Sequence, residues 1–107
     1  MGRQFVIKRN DLSPGLKGYL KTRIDVTLDT AVLLMRNRKT NQLKLDRVPV
    51  TLGEDSGGRF FTYDWVEGDT DTAGQFHIEV EALQTNGKPI TFPNRTFGEV
   101  LITEDLG

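Results

Sequence analysis

Apolar and polar residues alternate along most of the chain, which is the pattern of strands with one buried and one exposed face. The clearest case is the stretch 59–82, where two alternating runs flank a loop rich in Gly, Asp and Thr. One face of the first run carries Phe61, Tyr63 and Trp65. One face of the second run carries Phe76, Ile78, Val80 and Ala82. This stretch predicts two half-buried strands that meet around Trp65 and Phe76.

Shorter segments on either side complete a predicted set of seven to nine strands. They are residues 4–8, 16–21, 31–36, 42–52, 88–92 and 97–103, with a continuation or a separate short strand at Ile24, Val26 and Leu28. Asn86-Gly87 predicts a type I′ hairpin, and residues 53–58 predict a hairpin loop. No stretch has a helical period of useful length. Short strands with turns about every ten residues predict an all-β, antiparallel sandwich with Greek-key connections.

Two details of this pattern are informative. In residues 31–36 either Ala31, Leu33 and Met35 or Val32 and Leu34 point inward, since both faces are aliphatic. In residues 42–52 the phase of alternation changes near Arg47-Val48-Pro49, which predicts a bulge or bend. Pro49 also predicts that this strand lies at a sheet edge, because proline cannot donate a ladder hydrogen bond.

The chain of 107 residues predicts one domain spanning 1–107, and its longest apolar run is too short to cross a bilayer. Cysteine is absent, which excludes disulfides and thiolate chemistry. The first residues lack the pattern of a signal peptide. Residues 1–53 carry eleven Lys/Arg against four Asp/Glu, and residues 54–107 carry three against eleven. Either early and late strands pair their charges across the sheets, or the molecule is dipolar and docks between charged neighbours.

The segment Asp71-Thr72-Ala73-Gly74-Gln75-Phe76 resembles the corner before the F strand of immunoglobulin domains. Phe76 stands where that family has its tyrosine, and Ile78 stands where it has its second cysteine. The resemblance implies an immunoglobulin-like β-sandwich without the disulfide and without the hydrogen bond of the tyrosine hydroxyl.

A longer resemblance extends over nearly the whole chain, with residues 63–74 as its specific part. The matching segments are Phe5-Val6-Ile7-Lys8, Leu34-Met35-Arg36, Tyr63-Asp64-Trp65, residues 68–74 and Thr91-Phe92-Pro93-Asn94. They are similar to the N-terminal domain of the phage baseplate upper protein family.

This resemblance implies a non-enzymatic structural protein of a tailed-phage virion, at the capsid surface, neck or tail. The expected partners are other virion proteins, with many copies or a homo-oligomer on the particle and no nucleic acid or membrane. The expected location is the virion, and the host cytoplasm during assembly. The absence of a coiled-coil stalk favours a decoration or tail-associated protein. The resemblance also favours Leu33 and Met35 inward, with Val32 and Leu34 outward.

Catalytic chemistry has few candidates in this sequence. His77 is the only histidine, and a nucleophilic site would need it with Ser13 or Ser56, both in turn clusters. A solvent-facing or interface histidine is the favoured interpretation, so no catalytic residue and no cofactor is predicted. Asn94-Arg95-Thr96 matches the glycosylation pattern but carries no weight without a signal peptide.

Charged groups suggest structural rather than binding roles. Asp69 and Asp71 could hold Ca²⁺ with Glu67, but their spacing favours aspartates that bond backbone amides and shape the loop, and no metal site is predicted. The basic residues Arg36, Arg38 and Lys39 are too few for nucleic-acid binding. We predict instead that Arg36 pairs with Glu79 or Glu81.

The remaining candidates are surfaces for protein contact. Val32 and Leu34, outward beside His77, are the predicted docking patch. Phe60 and Tyr19 lie on the phase opposite to the core aromatics and are further interface candidates. They also carry the alternative function, a carbohydrate-binding module that would help a virion hold host glycans.

Overall fold

The computed structural model describes residues 4–21, 26–92 and 98–104, and in these ranges the chain forms nine β-strands. The strands are β1 (Gln4–Lys8), β2 (Leu16–Tyr19), β3 (Leu28–Asn37), β4 (Leu43–Pro49), β5 (Thr51–Asp55), β6 (Gly58–Tyr63), β7 (Gly74–Gln84), β8 (Pro89–Phe92) and β9 (Glu99–Thr103). None of the described residues belongs to a helix that is long and apolar enough to span a membrane. Ile24, Phe97 and residues 94–96, which the sequence analysis singled out, lie outside the described residues.

The strands form two sheets in a sandwich-like arrangement. The larger sheet has the order β1-β9-β7-β3-β4, with β8 also paired to β7, and the smaller sheet has the order β2-β6-β5. The prediction of an all-β sandwich is therefore confirmed. The expectation that all strands are antiparallel is wrong in one place, because β1 and β9 run parallel. These two strands lie at opposite ends of the chain, so no local turn determines their direction.

The core consists of the inward-facing residues of both sheets. Leu33 and Met35 are completely buried, and Ala31 is 5% exposed, so the open phase of β3 is resolved with these residues inward. Phe61 and Val80 are also completely buried. The remaining buried apolar residues are Ile7, Leu16, Leu20, Leu45, Trp65, Phe76, Ile78, Ala82, Phe92, Val100 and Ile102. Burial of these side chains is the main favourable contribution to folding.

The predicted strand at residues 42–52 is in fact two strands in different sheets. β4 ends at Pro49 as an edge of the larger sheet, β5 begins at Thr51 in the smaller sheet, and the N–H of Val50 between them donates to Ala31 O. Arg47 has a φ of +53° and lies where the register between β3 and β4 shifts. The predicted edge position and bulge are both confirmed.

Two hairpins differ from the sequence prediction. In the β7–β8 turn Gly87 has a φ of +87°, while Asn86 does not have a positive φ. A type I′ turn needs positive φ at both central residues, so this is a three-residue loop that ends in a left-handed glycine. In the β5–β6 hairpin, Gly53 to Asp55 belong to β5, and the turn is confined to Ser56 and Gly57.

Ion pairs join the basic first half of the chain to the acidic second half. They are Arg9–Glu104, Lys17–Asp55, Arg38–Glu99, Lys44–Asp71 and Arg47–Glu81. The uneven charge is therefore at least partly paired within the molecule. The predicted partner of Arg36 is wrong, because its guanidinium donates to Asn41 O at 2.7 Å and Glu81 is paired with Arg47. The bulge at Arg47 places that side chain across from Glu81.

Candidate docking surfaces

The outer face of the larger sheet contains the predicted patch of Val32, Leu34 and His77. Val32 and Leu34 are half-buried and alternate with the fully buried residues of β3. Leu34 is in register with Glu79 on β7, and His77 is in register with Arg36. Residues directly opposite each other in a sheet lie on the same face. The structure therefore brings the three predicted residues together on one face, and His77 is exposed.

Charged side chains of both signs surround this patch, which we call the β3–β7 face. His77 Nε2 lies 4.0 Å from Glu99 Oε2, and Glu99 accepts a hydrogen bond from Arg38 at 3.0 Å. Arg47 Nε lies 3.4 Å from Glu81 Oε1. An aliphatic centre within a rim of paired charges is the usual anatomy of a protein–protein contact.

The other two candidates, Tyr19 and Phe60, lie on the outer face of the smaller sheet. Their rings make an edge-to-face contact with centroids 6.1 Å apart. Lys17 Nζ lies over the Phe60 ring at 4.2 Å and over the Tyr19 ring at 5.2 Å. Asp55 accepts hydrogen bonds from Lys17 at 3.2 Å and from the Tyr19 hydroxyl at 3.0 Å. We call these four residues the aromatic cluster.

The aromatic cluster joins all three strands of its sheet and leaves little room for stacking. A Cβ on Gly53 would lie 2.5 Å from Phe60 Cζ, so the ring packs directly over the Gly53 backbone. This cross-strand pairing of an aromatic ring with glycine stabilises β-sheets. Since Lys17 also lies over the ring, a sugar that stacks on Phe60 would have to displace its ammonium. The geometry favours a structural role for Phe60, whereas Tyr19 is 37% exposed.

Electrostatics within the aromatic cluster favours the charged forms of both its ionisable partners. Desolvation raises the pKa of Asp55, but hydrogen bonds from the Gly57 amide, Lys17 and Tyr19 outweigh it and hold the pKa below its ordinary value. The hydrogen bond to Asp55 raises the pKa of Lys17. The ion pair therefore contributes to stability between acid pH, where Asp55 protonates, and alkaline pH, where Lys17 loses its proton.

The loop between β6 and β7, residues 64–73, is held by the buried carboxylate of Asp69. We call this loop the Asp69 corner. Asp69 is 8% exposed and accepts a hydrogen bond from the Tyr63 hydroxyl at 2.6 Å and another from the Val66 N–H at 2.9 Å. The prediction that Asp69 bonds a backbone amide and shapes the loop is confirmed. Asp71 instead accepts from Lys44 and the Thr72 hydroxyl.

Two side-chain hydrogen bonds connect this loop to the segment between β1 and β2, in addition to the backbone bond from the Asn10 N–H to Thr70 O at 2.9 Å. Thr70 is completely buried, and its hydroxyl donates to Asp11 O at 2.9 Å. Trp65 Nε1 donates to Pro14 O at 3.1 Å. The phase that Trp65 shares with Phe61 predicted its place in the core, whereas no sequence pattern indicated the role of Thr70. A threonine between two aspartates is typical of an exposed loop, so the sequence gives no sign that Thr70 is buried.

The Asp69 corner predicts a shifted titration of Tyr63. Burial, together with the hydrogen bond to the Asp69 carboxylate and the charge of that carboxylate, raises the pKa of Tyr63 well above its ordinary value of 10.0. The chain has two tyrosines, so a Tyr19→Phe variant leaves Tyr63 as the only tyrosine that ionises. We expect the tyrosinate absorbance of this folded variant to remain low past pH 10. A midpoint at the ordinary value would contradict the buried hydrogen bond.

The sign of the linked stability change is set by the same raised pKa. The stabilisation from the buried Tyr63 hydroxyl is fully present below the pKa that Tyr63 has in the unfolded chain. It is lost as pH rises towards the pKa of Tyr63 in the folded chain. Stability should therefore fall above about pH 10. Tyr63→Phe should reduce this contribution to the alkaline slope.

Two kinds of chemistry can be checked against the described residues, a metal site and a site built around His77. In residues 4–21, 26–92 and 98–104 no group of three or more His, Asp or Glu side chains could hold a metal ion. The carboxylate near His77 is that of Glu99, on the neighbouring strand β9.

In comparisons with known proteins, no family model matches the chain, and no curated protein or solved structure matches it.

Proposed function

We propose that the chain is a non-enzymatic structural protein of a tailed-phage virion, located at the capsid surface, neck or tail. It docks on other virion proteins, is present in several copies, and passes through the host cytoplasm during assembly. The resemblance of residues 63–74 to the phage domain supports the virion assignment. The β3–β7 face supports the docking mechanism.

The immunoglobulin-like topology is part of this proposal, and the strand order supports it. Variable-type immunoglobulin domains have strands B, E and D in one sheet and strands G, F, C and C′ in the other. The order β2-β6-β5 corresponds to B-E-D, and the order β9-β7-β3-β4 corresponds to G-F-C-C′. The Asp69 corner then lies at the E–F connection, next to the segment that resembles the immunoglobulin corner.

The observation that carries docking is the half-buried pair Val32 and Leu34 on a face that no described strand covers. Aliphatic residues on an outer sheet face gain free energy when a partner covers them. The paired charges of Arg47, Glu81 and Glu99 around them can fix the orientation of a partner.

A charge placed in this patch tests the proposal. Leu34→Lys puts a cation opposite Glu79, a cross-strand pair that a sheet tolerates, while the long side chain keeps its ammonium in water. We expect the fold to remain and the affinity for the particle to fall about tenfold or more, because residues at the centre of an interface carry most of its binding energy. Tagged variants would be supplied during infection, and particles would be separated by sedimentation.

The matched control is Val66→Lys, a residue that is 56% exposed in the Asp69 corner and off the β3–β7 face. This variant should co-sediment with particles as the wild type does. A wild-type chain that never sediments with particles would contradict the virion assignment. A Leu34→Lys variant that sediments like the wild type would contradict docking through this face.

A further inference from the structure

The edge strand β1 contains no proline and no bulge, and its one charged residue is Lys8 at its end. Proteins protect sheet edges with proline, bulges, charge or short strands. β4 ends in Pro49 and carries the bulge at Arg47, and β8 begins with Pro89. β5 carries Glu54 and Asp55, and β2 has only four residues. β1 contains Gln4-Phe5-Val6-Ile7-Lys8 and pairs with β9 in unbroken register.

The backbone of β1 presents hydrogen-bonding groups on its open side. The N–H of Arg9 donates to Thr103 O on β9 at 2.8 Å. The backbone N–H and C=O groups of the odd-numbered residues in this segment therefore point towards β9. The direction of these backbone groups alternates from one residue to the next. Those of Gln4, Val6 and Lys8 therefore point to the open side of β1, in the plane of the sheet and away from β9. Lys8 O accepts from the Asp11 N–H, and the described chain offers no backbone partner to the groups of Val6.

We propose that the occupant of this edge is β1 of a second copy of the chain, antiparallel about a two-fold axis at Val6. In this register Val6 faces Val6 of the copy, and the two residues exchange both N–H···O bonds. Gln4 faces Lys8, and Phe5 faces Ile7. The five residues of β1 are polar, apolar, apolar, apolar and polar. This order is the same in both directions, so an antiparallel copy places polar residues opposite polar ones and apolar residues opposite apolar ones. Within the five residues of β1 no like charges face each other, and the two-fold contact is self-complementary.

The exposed side chain of Val6 supports the same register. Val6 is 53% exposed on the outer face, whereas Ile7 is buried. Pairing at the two-fold axis brings the two Val6 side chains into cross-strand contact, which β-branched residues favour. The contact joins two copies of the larger sheet into one continuous sheet.

This inference goes beyond the proposed function, because self-pairing of the purified chain needs no virion protein. A five-residue edge buries less surface than a stable interface requires, so we expect a dissociation constant on the order of 0.1–1 mM. Such a contact becomes effective when many copies are held together, since linked sites bind at high effective concentration.

The test uses two charge variants of Val6 and their mixture in sedimentation equilibrium at concentrations up to about 1 mM. In Val6→Lys and Val6→Glu like charges face each other across the axis, so each variant alone should associate about tenfold more weakly than the wild type. The equimolar mixture places Lys opposite Glu and should recover the association. Circular dichroism would verify that both variants fold.

The control pair is Leu43→Lys and Leu43→Glu, on the protected edge strand β4, where Leu43 is 38% exposed. These variants should associate as the wild type does, both alone and mixed. A wild-type chain that stays monomeric over the whole range would overturn the proposal. So would Val6 variants that associate as the wild type does, or a mixture that associates no better than its components.

Discussion

The Phe61→Ala variant is expected to lose about 3–5 kcal/mol of unfolding free energy. Phe61 is completely buried in the centre of the smaller sheet, and a Cβ on Gly18 would lie 2.6 Å from its ring. The backbone of β2 therefore contacts the ring directly and cannot fill the space that the ring leaves. Domains of this size have about 5–15 kcal/mol of stability in total. The variant should unfold at much lower urea concentration than the wild type.

The neighbouring residue gives the matched control. Phe60→Ala removes a ring of the same size from the same strand, but this ring lies on the outer face beneath Lys17. We expect a loss of about 1–2 kcal/mol, from partial burial, the edge contact with Tyr19 and the cation–π contact. Urea unfolding followed by Trp65 fluorescence measures both variants. Equal losses would mean that the two faces of β6 are not divided into core and surface as described.

Asp69→Ala is expected to lower the unfolding free energy by about 2–3 kcal/mol, the second largest effect. The substitution removes a buried acceptor and leaves the Tyr63 hydroxyl and the Val66 N–H without their partner. Hydrogen bonds to a charged acceptor are stronger than neutral ones, and buried donors left alone are costly. Thermal and urea unfolding at neutral pH measure the loss.

Asp71→Ala is the control, because Asp71 lies two residues away but is half exposed in its pair with Lys44. Exposed ion pairs contribute little, so we expect a much smaller loss than that of Asp69→Ala. A double-mutant cycle with Tyr63→Phe isolates the Tyr63–Asp69 bond, with an expected coupling of about 0.5–3 kcal/mol. If Asp69→Ala and Asp71→Ala cost the same, or if the coupling is zero, Asp69 does not hold the corner.

The buried faces of most strands were predictable because alternation with period two reports burial directly. Phe61, Phe76 and Val80 were assigned to the core from this pattern and are buried. β3 was ambiguous since aliphatic residues occupy both of its faces, and only its neighbours β4 and β7 determine which face meets the smaller sheet. Leu33 was assigned inward by the resemblance, and the structure agrees.

Features that depend on distant partners could not be predicted. Alternation continues through Pro49 and Val50, so the pattern does not show that the chain leaves one sheet and enters the other. Asn86-Gly87 fits two kinds of hairpin, and the pairing of Leu83 with Pro89 decides between them. The parallel pairing of β1 with β9 brings together the two ends of the chain, where no local signal sets direction.

The candidate surfaces were predicted in part. Val32, Leu34 and His77 fall on one face as expected, because residues of equal phase on paired strands must do so. Their role in docking stays a prediction. The contacts of Phe60 with Lys17 and Gly53 depend on cross-strand register, which the sequence does not specify. The partner of Arg36 was mistaken for the same reason, since bulges in β4 displace its neighbours.

Our central proposal is that this chain is a structural component of a virion and acts through its binding to other virion proteins. The most direct measurement is quantitative peptide mass spectrometry of purified particles from a tailed phage whose genome encodes the chain. We expect the chain to be present in several copies per particle and to stay in constant ratio to the major capsid protein through repeated purification. A chain that is abundant in the lysate but absent from the purified particles would contradict this claim.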